Sequence, residues 1–358
     1  MVISQETSIY RILDANLDRA REGLRIIEEW CRFGLNNSTM VEECKKMRQE
    51  LASWHNSELR IARDTPGDPG TELTHPQEEK RDNLEELLQA NLCRVQEALR
   101  VLEEYAKLYN ADFATTMKQM RYQVYTLESN LLAQKKQILL EQAQLYLVTS
   151  PIPHLLEMVE AALQAGLSLV QYRSKDADDI VKLSQAYKLC QLCHTYGALF
   201  IVNDRLDLAL AVNADGVHLG QQDLPVGLAR QILGNHKIIG KSTTNAQEMA
   251  QAIAAGADYI GVGPVYETPT KEGKAAVGLE YVRYAAANAT IPWFAIGGIN
   301  QNNVIEVLKA GANRIAVVRA IMEAEQPAEV TQYFLSQLMR NQSLLRLEAK
   351  LEKDHGGN

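Results

Sequence analysis

Gln171, Arg173 and Lys175 alternate through residues 169–175, and a spacing of two carries all three side chains to one side of an extended chain. Two cations projected together make an anion site. Asn203-Asp204 ends a second β-branched run, LFIVND, and Asp223 follows a third, GVHLG. Two carboxylates within reach of one ion, completed by substrate oxygens and water, suit Mg²⁺. Ser242 ends IIGKST, and residues 263–273 supply Thr268, Thr270 and Lys271 between glycines that suit movement over a ligand. Gly297-Gly298 and Val318-Arg319 end the last two such runs, where backbone N–H groups can hold a phosphate monoester. The inventory is two anion sites, one metal-assisted and suited to pyrophosphate, the other backbone-lined and suited to a monophosphate.

No His or Glu recurs as an obvious general base. His218 lies inside a run, where a core or orienting role is expected. Joining two phosphorylated substrates without a base fits displacement of pyrophosphate by a nucleophile that carries no proton, such as a ring nitrogen. Gly261-x-Gly263 lacks the third glycine of a dinucleotide fingerprint. Cys190-Gln-Leu-Cys193-His194 matches a haem-attachment pattern, but Leu183, Ala186, Leu189, Cys190 and Cys193 repeat as the buried face of an amphipathic helix.

These residues need a scaffold. From Gln142 onward, eight short β-branched or aromatic runs begin near residues 145, 169, 199, 216, 238, 259, 293 and 314, with amphipathic segments between them. That alternation predicts a parallel, closed (β/α)₈ TIM barrel with its catalytic groups at the strand ends. The shortest helix must fit within LPVGLARQIL. Before residue 140 the pattern is helical and duplicated. ANLDRAREGLRIIEEWCRF from Ala15 and ANLCRVQEALRVLEEYAKL from Ala90 align without gaps, identical at about nine of nineteen positions.

Two copies predict an all-α bundle rather than a solenoid. Leu17, Ala20, Leu24, Ile27 and Cys31 form one apolar stripe, and Gly23, Ile26, Trp30 and Phe33 a second. Asn16, Arg19, Asn91 and Arg94 interrupt the pattern, as an interhelix hydrogen-bond network or a polar pocket. In the loop RDTPGDPGT, Gly67 and Gly70 amides with Arg63 and Arg81 can cradle phosphate or form a plain surface loop. The expected domains are a helical one over residues 1–135, a barrel over 136–345 and a tail over 346–358.

Length agrees, since 358 residues at roughly 150 per domain give about two. With 45 acidic and 37 basic side chains, the net charge of −8 offers no general attraction for nucleic acid or anionic membrane. The N-terminal residues lack the apolar core of a signal peptide, and no apolar run is long enough to span a bilayer. A cytoplasmic protein with small-molecule substrates is expected, able to form a homo-oligomer.

QYRSK, IVNDR, GVHLGQQD, GKST, GPVYETPTK and AIGGI, in this order, resemble the thiamine phosphate synthase family over residues of about 140 to 340. The resemblance implies condensation of hydroxymethylpyrimidine diphosphate with a thiazole phosphate, giving thiamine monophosphate and pyrophosphate. It places the pyrimidine diphosphate on Gln171, Tyr172, Arg173, Ser174, Lys175, Asn203, Ser242 and Lys271. Of these, Arg173, Lys175, Ser242 and Lys271 take the catalytic roles. Mg²⁺ falls on Asp204 and Asp223, and the thiazole phosphate on Thr268, Thr270, Gly298, Val318 and Arg319.

Two positions depart from the family pattern. Thr244 stands where a histidine is common and Arg319 where a serine is common. The helical half resembles a module connected with hydroxymethylpyrimidine phosphate phosphorylation, which would make the enzyme bifunctional, although no Walker loop is present. A thiazole tautomerase-like paralogue and a phosphate-sensing regulatory protein are the alternatives; the complete cation and carboxylate set speaks against the former.

Overall fold

The computed structural model describes residues 4–69, 81–268 and 275–355, with side chains described as far as residue 344. One compact unit extends to Leu131 and the second begins at Leu132.

In the first unit, each helix starts where a short polar side chain can accept an otherwise unpaired N–H. Ser4 caps α1 (Gln5–Glu29), Asn37 caps α2 (Ser38–Trp54), Asn56 caps α3 (Ser57–Ile61) and Asn83 caps α4 (Leu84–Ala106). Helix α5 (Ala111–Gln142) comes next, and a π-helical turn, Trp30–Gly34, continues α1. The duplicated segments are α1 and α4, and they touch at Gly23, where an added Cβ would lie 2.6 Å from Cγ2 of Val95.

The duplication extends to buried charge. Glu28 accepts from Arg25 on its own helix and Arg48 on α2, while Glu103 accepts from Arg100 on its own helix and Arg121 on α5. A buried carboxylate stripped of its cation costs about 3–5 kcal/mol, so these pairs tie neighbouring helices together.

The first apolar stripe is fully buried, but in the second Ile26 is exposed at 36% and Phe33 at 67%, because one helix face meets the core and residues beyond it stay outside. Asn16 and Asn91 do not bridge helices. Their amides donate to the carbonyls of Ile12 and Leu87 one turn back, a local bond open to any buried helical asparagine. Gly67 does not offer its amide to a ligand, since it donates to Asp64 Oδ1, and Arg63 is held by Asp14. Gly70 lies outside the described residues.

In the second unit β1 (Leu145–Val148), β2 (Leu169–Tyr172), β3 (Leu199–Asn203), β4 (Gly216–Leu219), β5 (Ile238–Thr243), β6 (Tyr259–Val262), β7 (Trp293–Ile296) and β8 (Ile315–Val317) close in order into a parallel barrel. Strand alternation sorts the side chains. Tyr146, Leu169, Leu199, Ile201, Ile238, Tyr259, Phe294 and Ala316 form a buried cluster of their own, while Leu147, Val170, Tyr172, Phe200 and Val202 join the cluster that includes the surrounding helices. Gly240 makes room inside, because a Cβ there would stand 2.1 Å from the Tyr259 ring.

The short β4–β5 helix is Val226–Leu233. Cys190 and Cys193 are buried along the helix Asp179–Thr195, and His194 pairs with Asp215 at 2.9 Å, so the CxxCH sequence is a packed helix face. Leu183 departs from that face and is 39% exposed.

Candidate active site

The strand ends gather a constellation from five strands. Gln171 and Arg173, Asn203, His218, Ser242 and Gly261 line a narrow cavity of about 60 Å³ at the mouth of the barrel. Each arrives by parity. Gln171 points inward from β2, and Arg173 stands two residues on, its backbone N–H donating to Thr149 Oγ1. The same parity turns Tyr172 outward, against expectation. Its ring is buried among the helices and its hydroxyl donates to Gln185. Ser174 hydrogen-bonds Tyr172 and so belongs with it. Lys175 is exposed and absent from the cavity wall, because β2 ends at Tyr172 and strand alternation no longer steers the residues beyond it.

A chain of hydrogen bonds crosses the barrel beneath this cavity. Gln171 Nε2 donates to the Tyr146 hydroxyl at 2.6 Å, the Tyr146 and Tyr259 hydroxyls are 2.7 Å apart, and Tyr259 lies 3.0 Å from His218 Nδ1. His218 Nε2 then lies 2.9 Å from Ser242 Oγ. With Gln171 donating at one end, one proton order fills every link and leaves no buried proton of the chain unpaired: Tyr146 donates to Tyr259, Tyr259 donates to Nδ1, and Nε2–H donates to Ser242. The serine oxygen is then an acceptor inside the chain, and its own proton is left to point away from His218. Burial pushes the Tyr146 and Tyr259 hydroxyls well above the ordinary tyrosine range, keeping both protonated. His218, for which the sequence leaves a core or an orienting role open, is buried with a hydrogen-bond partner at each ring nitrogen; Tyr146 and Tyr259 look like core residues in the sequence.

Asp204 and Asp223 form the second element. Burial first, and the neighbouring Asp223 carboxylate second, raise Asp204 to about 6. Asp204 occupies left-handed backbone, with φ at 61°, and its N–H donates to the His218 carbonyl. Asp223 accepts from the Gly220 N–H at 2.6 Å. Lys241, unremarkable in the sequence, donates to the Gly220 carbonyl at 2.6 Å and fixes that turn from below. Burial holds its ammonium below the ordinary lysine range. Among the described residues no third protein ligand joins the two carboxylates. Two neighbouring carboxylates, of which Asp204 is made costlier to ionise by burial and by Asp223, fit a hydrated divalent cation shared with phosphate oxygens.

The third element is a cavity of about 850 Å³ lined by Thr268, Gly297, Gly298, Val318 and Arg319 among others. Gly297 and Gly298 both have positive φ, at 106° and 66°, and an added Cβ on Gly298 would lie 2.7 Å from Tyr266 Cβ. Thr270 and Lys271 lie outside the described residues. Thr244 is absorbed into a helix start, its N–H and hydroxyl both donating to Glu248. The cavities adjoin, because Ile296, Ala316 and Val318 line both.

A closed (β/α)₈ barrel whose mouth carries a polar cleft with one arginine, a carboxylate pair and an adjoining glycine-rich cavity has the form of an enzyme with its site at the strand ends. Residues 145–321 match the family model for thiamine monophosphate synthase and residues 11–130 that of the ThiD2 family. A thiamine-phosphate synthase of Nostoc punctiforme is 70% identical over 332 residues, covering 93% of this chain and 95% of the relative. One of Synechocystis is 63% identical over 334 residues, covering 93% and 97%. Thiamine phosphate pyrophosphorylase from Pyrococcus furiosus superposes with a TM-score of 0.52 at 38% identity, covering 57% of this chain and 98% of that one. The chain belongs to the thiamine-phosphate synthase family, and it is a transferase of thiamine biosynthesis. Among the described residues no helix is long and apolar enough to cross a membrane.

Proposed function

We propose that the two adjoining cavities divide the two substrates of the family reaction between them. The enzyme condenses 4-amino-5-hydroxymethyl-2-methylpyrimidine diphosphate with hydroxyethylthiazole phosphate, giving thiamine monophosphate and pyrophosphate. The shared wall of Ile296, Ala316 and Val318 supports this reading, since two ligands bound one in each cavity would be neighbours across it.

In the cleft Gln171 and Asn203 orient the pyrimidine and Arg173 binds the diphosphate; the family resemblance adds Lys175, beyond the end of β2, and Lys271 to the diphosphate's cations. The Ser242 hydroxyl, turned outward by His218, donates to the departing oxygen, where a fixed donor counts most. Gly298, the Val318-Arg319 backbone, Thr268 and Thr270 hold the thiazole phosphate. The ring nitrogen brings no proton to its new bond, so no general base is needed. Asp204 and Asp223 would hold Mg²⁺, which when bound neutralises charge on the leaving pyrophosphate. Both substrates are small molecules, and five free cysteines accord with work in a reducing cytoplasm.

Pyrophosphate release from the two substrates tests the assignment. Arg173→Ala, Ser242→Ala, Asp204→Ala and Asp223→Ala should each lower kcat by about 10²-fold or more. Unchanged turnover in both aspartate variants removes the metal assignment, and unchanged turnover in Ser242→Ala removes the leaving-group role.

A further inference from the structure

The outside of the barrel is not uniformly polar. On the β2–β3 helix, Asp179–Thr195, the side chains of Ile180, Leu183 and Tyr187 stand exposed at helical spacing, and on the β4–β5 helix, Val226–Leu233, Leu228 and Ile232 do the same. Leu210, on the β3–β4 helix Leu206–Ala211 between them, is exposed as well. From this face we infer that two copies of the chain associate through the outer surface of these three helices, about a two-fold axis near Leu210.

Helical geometry makes the six residues one surface. Consecutive barrel helices lie side by side, and each of the three packs against the next. Leu183 precedes Cys190 by two turns, so both share a flank, and the Cys190 thiol lies 3.9 Å from the carbonyl of Asn213, just past the β3–β4 helix. Arg230 reaches the other way, to Asp258 before β6 at 2.6 Å. Ile232, about 200° further round the same helix, therefore faces the β3–β4 helix. The two stripes border Leu210 from either side.

Isolated exposed leucines are ordinary, but apolar rows across three neighbouring helices are not. Elsewhere on the barrel, the helices Leu155–Gln164 and Ala246–Ala254 leave no large apolar side chain exposed among the described residues. The six residues range from 39% to 74% exposed, on the order of 550 Å² in all. A stable interface takes about 800 Å² from each partner, of which about 450 Å² is apolar. The face is large enough to supply the apolar share of one complete interface.

Charge selects a second copy over an unlike partner. The β4–β5 helix carries a single charged residue, Arg230, and it is turned in; the β3–β4 helix carries only Asp207, which Arg205 neutralises while also pairing with Asp179. Lys188 stands on the far flank of its helix from Leu183. A nucleic acid, an anionic membrane or a charged peptide finds no counter-charge between the stripes. The face is instead its own complement, because a two-fold near Leu210 lays the β2–β3 stripe of one copy on the β4–β5 stripe of the other. The contact also gives a reason for Leu183 to be apolar although it leaves the buried face of its helix.

Sedimentation velocity on the full chain is the test. At about 10 µM it should run as a dimer, and in about 0.5 M sodium chloride the dimer should tighten, since the contact is apolar and two copies at −8 repel one another. Leu228→Glu, and separately Tyr187→Glu, should raise the dissociation constant about 100-fold or more, with helical circular dichroism and thiamine monophosphate formation unchanged. A short bismaleimide should join Leu210→Cys to its partner copy but not the wild-type chain, four of whose five cysteines are buried. A chain that stays monomeric at about 100 µM, or a dimer whose dissociation constant neither substitution moves, overturns the interface. A dimer that salt weakens overturns its apolar character, and one that Leu210→Cys does not link overturns the axis.

Discussion

His218 Nε2 lies 2.9 Å from Ser242 Oγ, and this bond decides which way the serine proton faces. In the proton order that leaves no buried proton of the chain unpaired, its direction is set on the other side of the ring, where the Tyr259 hydroxyl, 3.0 Å from Nδ1, donates to it. Tyr259→Phe removes that donor and frees the imidazole to carry its proton on Nδ1, so that Ser242 donates back to Nε2. We expect kcat to fall about 10-fold to 100-fold with little change in KM for the thiazole phosphate, and folding stability to drop by about 1–3 kcal/mol from the unpaired buried groups. The decisive measurement is the double variant Tyr259→Phe/Ser242→Ala. If the chain acts through the serine, its kcat equals that of Ser242→Ala alone; multiplicative losses would show an independent role.

The Asp204–Asp223 pair makes both activity and stability depend on pH. With Asp204 raised to about 6, its ionised form is lost as pH falls through that value, so Mg²⁺-dependent turnover should decline below about pH 6 and shift to lower pH at saturating Mg²⁺. The stability sign is opposite to that of a salt-bridged carboxylate. A folded value above the unfolded one favours the fold at low pH, and the contribution is lost as pH rises through about 6. Added Mg²⁺ should therefore raise Tm more at pH 7.5 than at pH 5. Thermal melts at the two pH values check this, and Asp204→Asn should abolish the difference.

Lys241 reaches Asp223, one of the two carboxylates proposed to hold Mg²⁺, through one carbonyl. Its ammonium holds Gly220, whose N–H in turn holds Asp223. Lys241→Met keeps most of the side-chain volume and removes the charge, so the half-saturating Mg²⁺ concentration should rise about 10-fold to 100-fold, the usual cost of losing a group that orients a ligand. Mg²⁺ titration of initial rates gives the number, and a kcat defect with unchanged Mg²⁺ dependence would place Lys241 elsewhere.

The barrel, and which residues stand at its strand ends, are legible in the sequence because parallel strands announce themselves as spaced β-branched runs. Tyr172 is instructive, since the alternation that brings Gln171 and Arg173 inward necessarily sends it out. Tyr146, Tyr259 and His218 are not legible as a unit. Each sits inside a strand and reads as core, and Tyr146 and Tyr259 meet 113 positions apart in the chain, a juxtaposition only barrel closure creates.

Arg319 stands where the family commonly has serine, at the first residue of the short helix Arg319–Met322, and it lines the larger cavity. A serine there contributes a hydroxyl, whereas a guanidinium adds a full charge and a fork for phosphate oxygens. The backbone contact is common to both, so the arginine should strengthen binding without altering the transition state at the distant ring nitrogen. Arg319→Ser should therefore raise KM for the thiazole phosphate about 3-fold to 10-fold at low ionic strength, with kcat unchanged, and the difference should shrink in about 0.5 M salt as the exposed charge is screened. A fall in kcat at constant KM would mean that Arg319 serves the chemical step instead.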